Sequence, residues 1–188
     1  VNAMTIAFWE NVKDKDNVYY ITRRNNTALK SADPKTFEYI GESYPFVYAK
    51  DKKNVYAVEK FGDPVYLIAN ADPATFELLS DNYSKDKNHI YFQEKPAKGI
   101  DVKTFEILDY FHVKDKNNIY IRSYNGYKPV KGADLKSFEL VTTRYTKDKN
   151  NVYYEGEIII GADSPTFRIL KNISKNEERY AADKKNVY

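Results

Sequence analysis

The chain has 188 residues, with 30 Lys and Arg against 27 Asp and Glu, a net charge of +3 and no cysteine. The near balance of charge steers it toward no obvious partner, and the lack of Cys excludes disulfides, thiolate metal sites and thiol nucleophiles. No apolar run approaches the ~20 residues of a transmembrane helix, and Tyr, with 18 copies against one Trp and one Met, tilts the composition toward pleated, half-buried strands.

The opening VNAM (1–4) reads as a vector-derived lead before Met4, which leaves room for a signal peptide removed upstream. The first predicted element is a hairpin at KDKDNVYY (13–20). A second phrase, ADPKTFEYI (32–40), follows, and the two then alternate to the end of the chain. The order is KDKKNVYA (50–57), ADPATFELL (71–79), KDKNHIYF (85–92), IDVKTFEIL (100–108), KDKNNIYI (114–121), ADLKSFELV (133–141), KDKNNVYY (147–154), ADSPTFRIL (162–170) and DKKNVY (183–188). The hairpin aspartates Asp14, Asp51, Asp86, Asp115, Asp148 and Asp183 are 37, 35, 29, 33 and 35 residues apart, which is the signature of a repeat protein.

In the hairpin phrase, Asp favours the first turn position, where its carboxylate can accept from N–H groups just ahead. Asn tolerates the left-handed conformation expected to close a type I turn with a bulge, and the Lys between them is a solvated tip. Val or Ile always stands four residues after the Asp, and Tyr always five after: Tyr19, Tyr56, Tyr91, Tyr120, Tyr153 and Tyr188. Aliphatics and tyrosines therefore take opposite faces of the outgoing strand. The incoming strand carries Tyr48, Tyr83, Tyr145 and Tyr180, with His112 in the same slot.

In the second phrase, Asp33, Asp72, Asp101, Asp134 and Asp163 are placed to cap a single helical turn, with Pro34 and Pro73 where no donor is needed. The hydroxyl three residues on can bond back to the cap, and Phe always follows it: Phe37, Phe76, Phe105, Phe138 and Phe167. One turn cannot stand alone, and β-favouring residues come next, so the reading is a capped turn, pinned by Phe, then a short strand. Each unit holds three or four short strands in all, with too few apolar residues to offset its own backbone entropy. Neighbours must stack.

The expected fold is all-β: tandem ~34-residue repeats of short antiparallel strands with one capped turn each, stacked as a curved solenoid. A small β-propeller is the alternative, although ~34 residues are short for a four-stranded blade. One repeat domain is expected over 1–188, with units near 5–40, 41–79, 80–108, 109–141 and 142–170 and a partial unit at 171–188.

The alternation of DKNNVYY-like and ADPKTFE-like phrases, from about Lys13 to Tyr188, resembles the bacterial DKNYY repeat family. The resemblance implies an envelope-associated or secreted repeat protein with no established biochemical activity, and it supplies no catalytic or ligand residues to carry across. Departures are small. Val102 rather than Pro follows Asp101, Arg168 stands where the other phrases have Glu, and the sixth hairpin stops short, which reads as truncation.

Asp-x-Asp/Asn triplets in the hairpins mimic the start of a calcium loop, but Tyr occupies the sixth position where that loop needs Gly, and flanking Lys opposes a divalent cation. No metal and no cofactor are expected. Neither His89 nor His112 belongs to a recognisable nucleophile–base set, so no enzyme is expected either. The favoured function is a non-catalytic scaffold for protein–protein interaction, because three stretches share no pattern: TRRNNTALKS (22–31), EKFGDPVYLIAN (59–70) and RSYNGYKPVKG (122–132). Phe61, Tyr66, Tyr124 and Tyr127 are their candidate contacts. The alternative is an envelope glycan or polyanion, held by Tyr19, Tyr56, Tyr91, Tyr120 and Tyr153 beside Lys15, Lys52, Lys87, Lys116 and Lys149. The competing structural reading makes those tyrosines buried rings with hydroxyls bonded to a neighbouring unit, and those lysines solubilising tips. The oligomeric state is left open.

Overall fold

The computed structural model describes residues 13–21, 26–60, 65–80, 82–123, 126–170 and 180–188. They fall into two compact units, Val1–Val102 and Lys103–Tyr188, each taken by itself below. The architecture is all-β, as composition predicts, and its sheets are small, open and antiparallel.

In the first unit β1 (Tyr19–Ile21) pairs with β2 (Asn26–Ala28). A four-stranded sheet then runs in chain order through β3 (Glu38–Ser43), β4 (Phe46–Lys50), β5 (Val55–Glu59) and β6 (Val65–Leu67). A second is built from β7 (Glu77–Leu78), β8 (Tyr83–Lys85), β9 (Ile90–Phe92) and β10 (Lys95–Ala97). The second unit repeats the plan with β11 (Glu106–Ile107), β12 (His112–Lys114), β13 (Ile119–Ser123) and β14 (Gly126–Pro129). Then come β15 (Glu139–Leu140), β16 (Tyr145–Lys147), β17 (Val152–Tyr154) and β18 (Glu157–Ile158), and last the pair β19 (Arg168–Leu170) and β20 (Tyr180–Ala182).

Every four-stranded sheet opens on the Glu that follows a Phe, at Glu38, Glu77, Glu106 or Glu139. The strand after one capped turn therefore belongs to the next hairpin's sheet, and the sheets straddle the unit boundaries drawn from sequence. The two unpatterned stretches 59–70 and 122–132 are not simple loops, since each supplies a fourth strand, β6 or β14.

The hairpin turns are four residues long, from Lys50 to Val55 and at the matching positions of the other copies. The Asp N–H donates to the carbonyl three residues on, at 3.0 Å for Asp51. The expected left-handed Asn is not there. Among the described residues the non-glycine positive φ angles belong to Asn70, Asn82, Gln93 and Glu155, none of them in a KDK turn. Glu155 (φ 48°) and Gly156 (φ 80°) make the tight connection β17–β18. Gly156 is required there twice over, because a Cβ would also sit 2.7 Å from Ile121 Cγ2.

Val/Ile and Tyr do take opposite faces, and both faces are buried. On β4 and β5, Val47, Ala49, Tyr56 and Val58 pack with Val18 and Phe37, while Phe46, Tyr48, Val55 and Ala57 pack with Phe76 and Tyr91. In the second unit Ile119 and Ile121 pack with Phe138 and Tyr153, and Val152 packs with Phe167, Ala181 and Tyr188. One rule covers these contacts: the aliphatic face of a hairpin meets the Tyr face of the next, with a Phe between them.

Candidate functional site

The repeated polar residues of the two phrases close on each other. Asp51 Oδ1 accepts from the N–H groups of Lys53 (2.7 Å) and Asn54 (2.8 Å). Its Oδ2 accepts from the Tyr56 hydroxyl (2.8 Å) and from the backbone N–H of the cap residue Asp33 (2.9 Å). Lys52 N–H donates to Thr36 Oγ1 (3.2 Å), and Lys52 Nζ lies 2.9 Å from the Asp33 carboxylate. Around Asp86, Asp148 and Asp183 the cap N–H bond is 2.8 Å each time, and the Lys N–H to hydroxyl bond is 3.1 Å. The matching ammonium–carboxylate distances are 2.5, 3.0 and 2.6 Å. We call this arrangement the clasp.

Asn in the turn has a different task from the one its backbone tolerance suggested. Its amide donates to the Tyr hydroxyl, from Asn54, Asn118, Asn151 and Asn186 at 3.1–3.3 Å. Burial pushes the Asp51, Asp86 and Asp148 carboxyls up, but their N–H and hydroxyl donors outweigh it and hold each below the usual range. Burial and the adjacent carboxylate push the Tyr56 hydroxyl up to about 12, and Tyr91 and Tyr153 move the same way. A carboxylate that already accepts four donors has little left for a proton or a cation. Among the described residues no three His, Cys, Asp or Glu side chains group as a metal site.

Tyr56, Tyr91 and Tyr153 are 0 % exposed and Tyr120 is 5 % exposed, so their rings offer no face on which a glycan could stack. Their hydroxyls bond the Asp of their own hairpin, and that of Tyr56 also reaches the Ser31 carbonyl of the preceding repeat at 3.1 Å, a contact to a neighbouring unit of the kind expected. Tyr19 is half-buried. Lys52, Lys87 and Lys149 are held in ion pairs with cap carboxylates, Lys15 lies 3.5 Å from Asp16, and Lys116 N–H donates to Thr104 Oγ1. Of the loop candidates, Phe61 and Tyr124 lie outside the described residues. Tyr66 is half-buried, its ring edge-on to Phe46 at 5.8 Å, and Tyr127 is half-buried opposite Arg122 in the β13–β14 register. The structure brings Tyr66 into the first unit and Tyr127 into the second.

The sequence matches the family model of the DKNYY family over residues 48–188. The chain belongs to the DKNYY family. No curated protein and no solved structure matches it. The matched stretch of this DKNYY protein contains five of the six hairpins. Among the described residues no helix is long and apolar enough to cross a membrane.

Two groups were missed in the sequence. The Glu after each Phe pairs with the Lys before each hairpin Asp: Glu38–Lys50, Glu77–Lys85, Glu106–Lys114 and Glu139–Lys147, at 2.9–3.5 Å. Their common recurrence was the available signal. The second group has no repeat to betray it. The Arg122 guanidinium lies 4.0 Å from the Tyr110 ring centroid and 4.8 Å from that of Phe111, and those two rings meet edge-on at 5.0 Å. Tyr110 is 46 % exposed. His112, next along, is fully buried with Nδ1 at 3.0 Å from Asp109 and Nε2 unbonded.

Proposed function

We propose that this DKNYY protein is a non-catalytic scaffold, a repeat array of the solenoid type, which binds other proteins through its non-repeated surface. One observation carries the reading. The repeated Asp, Tyr and Lys side chains are engaged in holding neighbouring phrases together, whereas the exposed aromatic and cationic groups differ from unit to unit. The Tyr110–Phe111–Arg122 cluster beside Tyr127 is the best-developed example, and Tyr and Arg are the side chains that dominate protein interfaces when a partner desolvates them. The face-to-face packing rule within each unit supports the solenoid reading. The saturated carboxylates and the buried His112 support the non-catalytic one.

The test is capture of partners from bacterial envelope and lysate fractions at low and high salt, with polysaccharide and polyphosphate as controls. A protein retained at high salt and lost on combined Tyr110→Ala and Arg122→Ala substitution is expected. Retention of polymers alone, released by salt, would overturn the reading in favour of the lysine tips.

A further inference from the structure

The last two capped phrases are entered through the same tight turn. Ala133 N–H donates to the Val130 carbonyl (3.3 Å) around Gly132 at φ 79°, and Ala162 N–H donates to the Ile159 carbonyl (3.2 Å) around Gly161 at φ 85°. A bond from the fourth residue to the first, with positive φ at the third, is a type II turn whose second residue forms the tip. That residue, three before the cap Asp, is Lys30, Ala69, Lys98, Lys131 and Ile160 in the five phrases, exposed in each. Two residues after the cap Asp stand Lys35, Ala74, Lys103, Lys136 and Pro165, also exposed. Three phrases therefore present a pair of lysines and one a pair of alanines. The last presents an isoleucine and a proline.

Ile160 is 94 % exposed, more than any other large apolar side chain among the described residues. Ile158, 44 % exposed, reaches the preceding turn, where its Cδ1 lies 3.8 Å from the place of a Cβ on Gly132. The Ile158–Ile160 segment thus stands against the Lys131–Gly132 tip. The carboxylates of this region are already matched, Glu157 by Lys128 (2.8 Å), Asp134 by Lys149 (3.0 Å) and Asp163 by Lys184 (2.6 Å). Lys128, with a smaller contribution from Lys131, holds the Glu157 carboxyl below the usual range. Lys131 and Lys136 add positive charge beyond those three pairs, so the apolar tip has a basic flank.

We propose that the Ile159–Ala162 turn, with Lys131 and Lys136 beside it, docks on the surface of an anionic lipid bilayer. Ile160 and Pro165 offer apolar area without hydrogen-bonding direction, and the two lysines offer charge on flexible stems. That combination suits a surface with an apolar interior, anionic headgroups and no fixed geometry. A folded protein partner is held through rigid anchors such as Tyr, Trp and Arg, which this turn lacks. A second copy seated on the same face would bring the lysines of both copies together. One apolar tip and two lysines hold a bilayer weakly, with half-saturation at about millimolar lipid. The proposal does not depend on the Tyr110 surface, and either can fail alone.

The test is co-sedimentation of the whole 188-residue chain with vesicles of phosphatidylcholine, with and without phosphatidylglycerol, up to several millimolar lipid. Partitioning onto the vesicles that contain phosphatidylglycerol, and not onto the others, is expected. Ile160→Ala should weaken it about tenfold, and the turn should survive because Ala69 occupies the same place in the second phrase. Lys131→Ala combined with Lys136→Ala should weaken it about thirtyfold. Lys30→Ala combined with Lys35→Ala removes the same charge from the first phrase and should leave partitioning unchanged. Equal weakening by the two lysine pairs would place the binding in net charge and overturn the proposal. No partitioning, or none of it lost in Ile160→Ala, would overturn it as well. Binding to polyglutamate but not to vesicles would assign the tip to an acidic polypeptide and overturn the lipid surface.

Discussion

The first and second hairpins of the chain, KDKDNVYY and KDKKNVYA, share a phrase and a turn but not a surrounding. Each Asp takes two backbone N–H groups on Oδ1 and a Tyr hydroxyl on Oδ2, at 2.7–2.8 Å in both. Asp14 is nevertheless exposed and Tyr19 half-buried, whereas Asp51 is 3 % and Tyr56 0 % exposed. The difference is the phrase at Asp33–Phe37, which adds a cap N–H, a hydroxyl, a second carboxylate and an aromatic ring. The turn is thus a local structure that the KDK phrase forms by itself. The clasp converts it into part of a core.

That comparison is broken most severely at the carboxylate. Asp51→Ala removes the acceptor of four donors in a buried site, and leaving donors of that kind unpaired costs about 3–5 kcal/mol in total. Asp14→Ala removes a turn cap in water, and only a small fraction of that loss is expected. Urea unfolding followed by circular dichroism measures both. Equal losses would mean that the turn, and not the clasp, carries the stability.

The Tyr hydroxyl gives an intermediate effect and a pH signature. Tyr56→Phe leaves Asp51 Oδ2 with one donor fewer and should cost about 1–2 kcal/mol, while Tyr19→Phe should leave the midpoint where it is. The hydroxyl ionises near 10 in an unfolded chain and at about 12 in the fold. The folded state holds that proton more tightly, so the contribution is complete below pH about 10 and lost as pH rises to about 12. The Asp51 carboxyl is held down instead, so its contribution is present above pH about 4 and lost as pH falls through its folded value. Stability measured from pH 9 to 12 should therefore fall less steeply in Tyr56→Phe than in the parent. Parallel curves would remove Tyr56 ionisation from the account.

The sequence disclosed the clasp's parts better than their joins. Asp caps, the back-bonding hydroxyl and the Val/Tyr alternation are local, and the chain spells each within five residues. Asn was misread because two local explanations compete for it, left-handed backbone and side-chain donation, and only the position of the Tyr hydroxyl decides between them. The Glu38–Lys50 type of pair joins residues eight to twelve apart, so a repeat shows both members without showing that they meet. Arg122 over Tyr110 and Phe111 belongs to one unit alone and leaves no periodic trace. The lysines were legible as solvated but not as partnered, because their carboxylates lie in the other phrase.

The lysine therefore supplies the finest division of the two hairpins. Lys52 and Lys15 occupy the same position, one 2.9 Å from Asp33 with a side chain 59 % exposed, the other 89 % exposed and 3.5 Å from Asp16. An ion pair this exposed is worth little, since water screens it and two flexible side chains must be held in place. Lys52→Ala should accordingly shift the urea midpoint by about a tenth of the Asp51→Ala effect, and Lys15→Ala by less than can be resolved. Raising the salt to 1 M, where charges are screened beyond about 3 Å, should erase the Lys52 difference but not the Asp51 one. A Lys52→Ala loss that persisted in 1 M salt would place the contribution in the packing of the lysine stem over the clasp rather than in its charge.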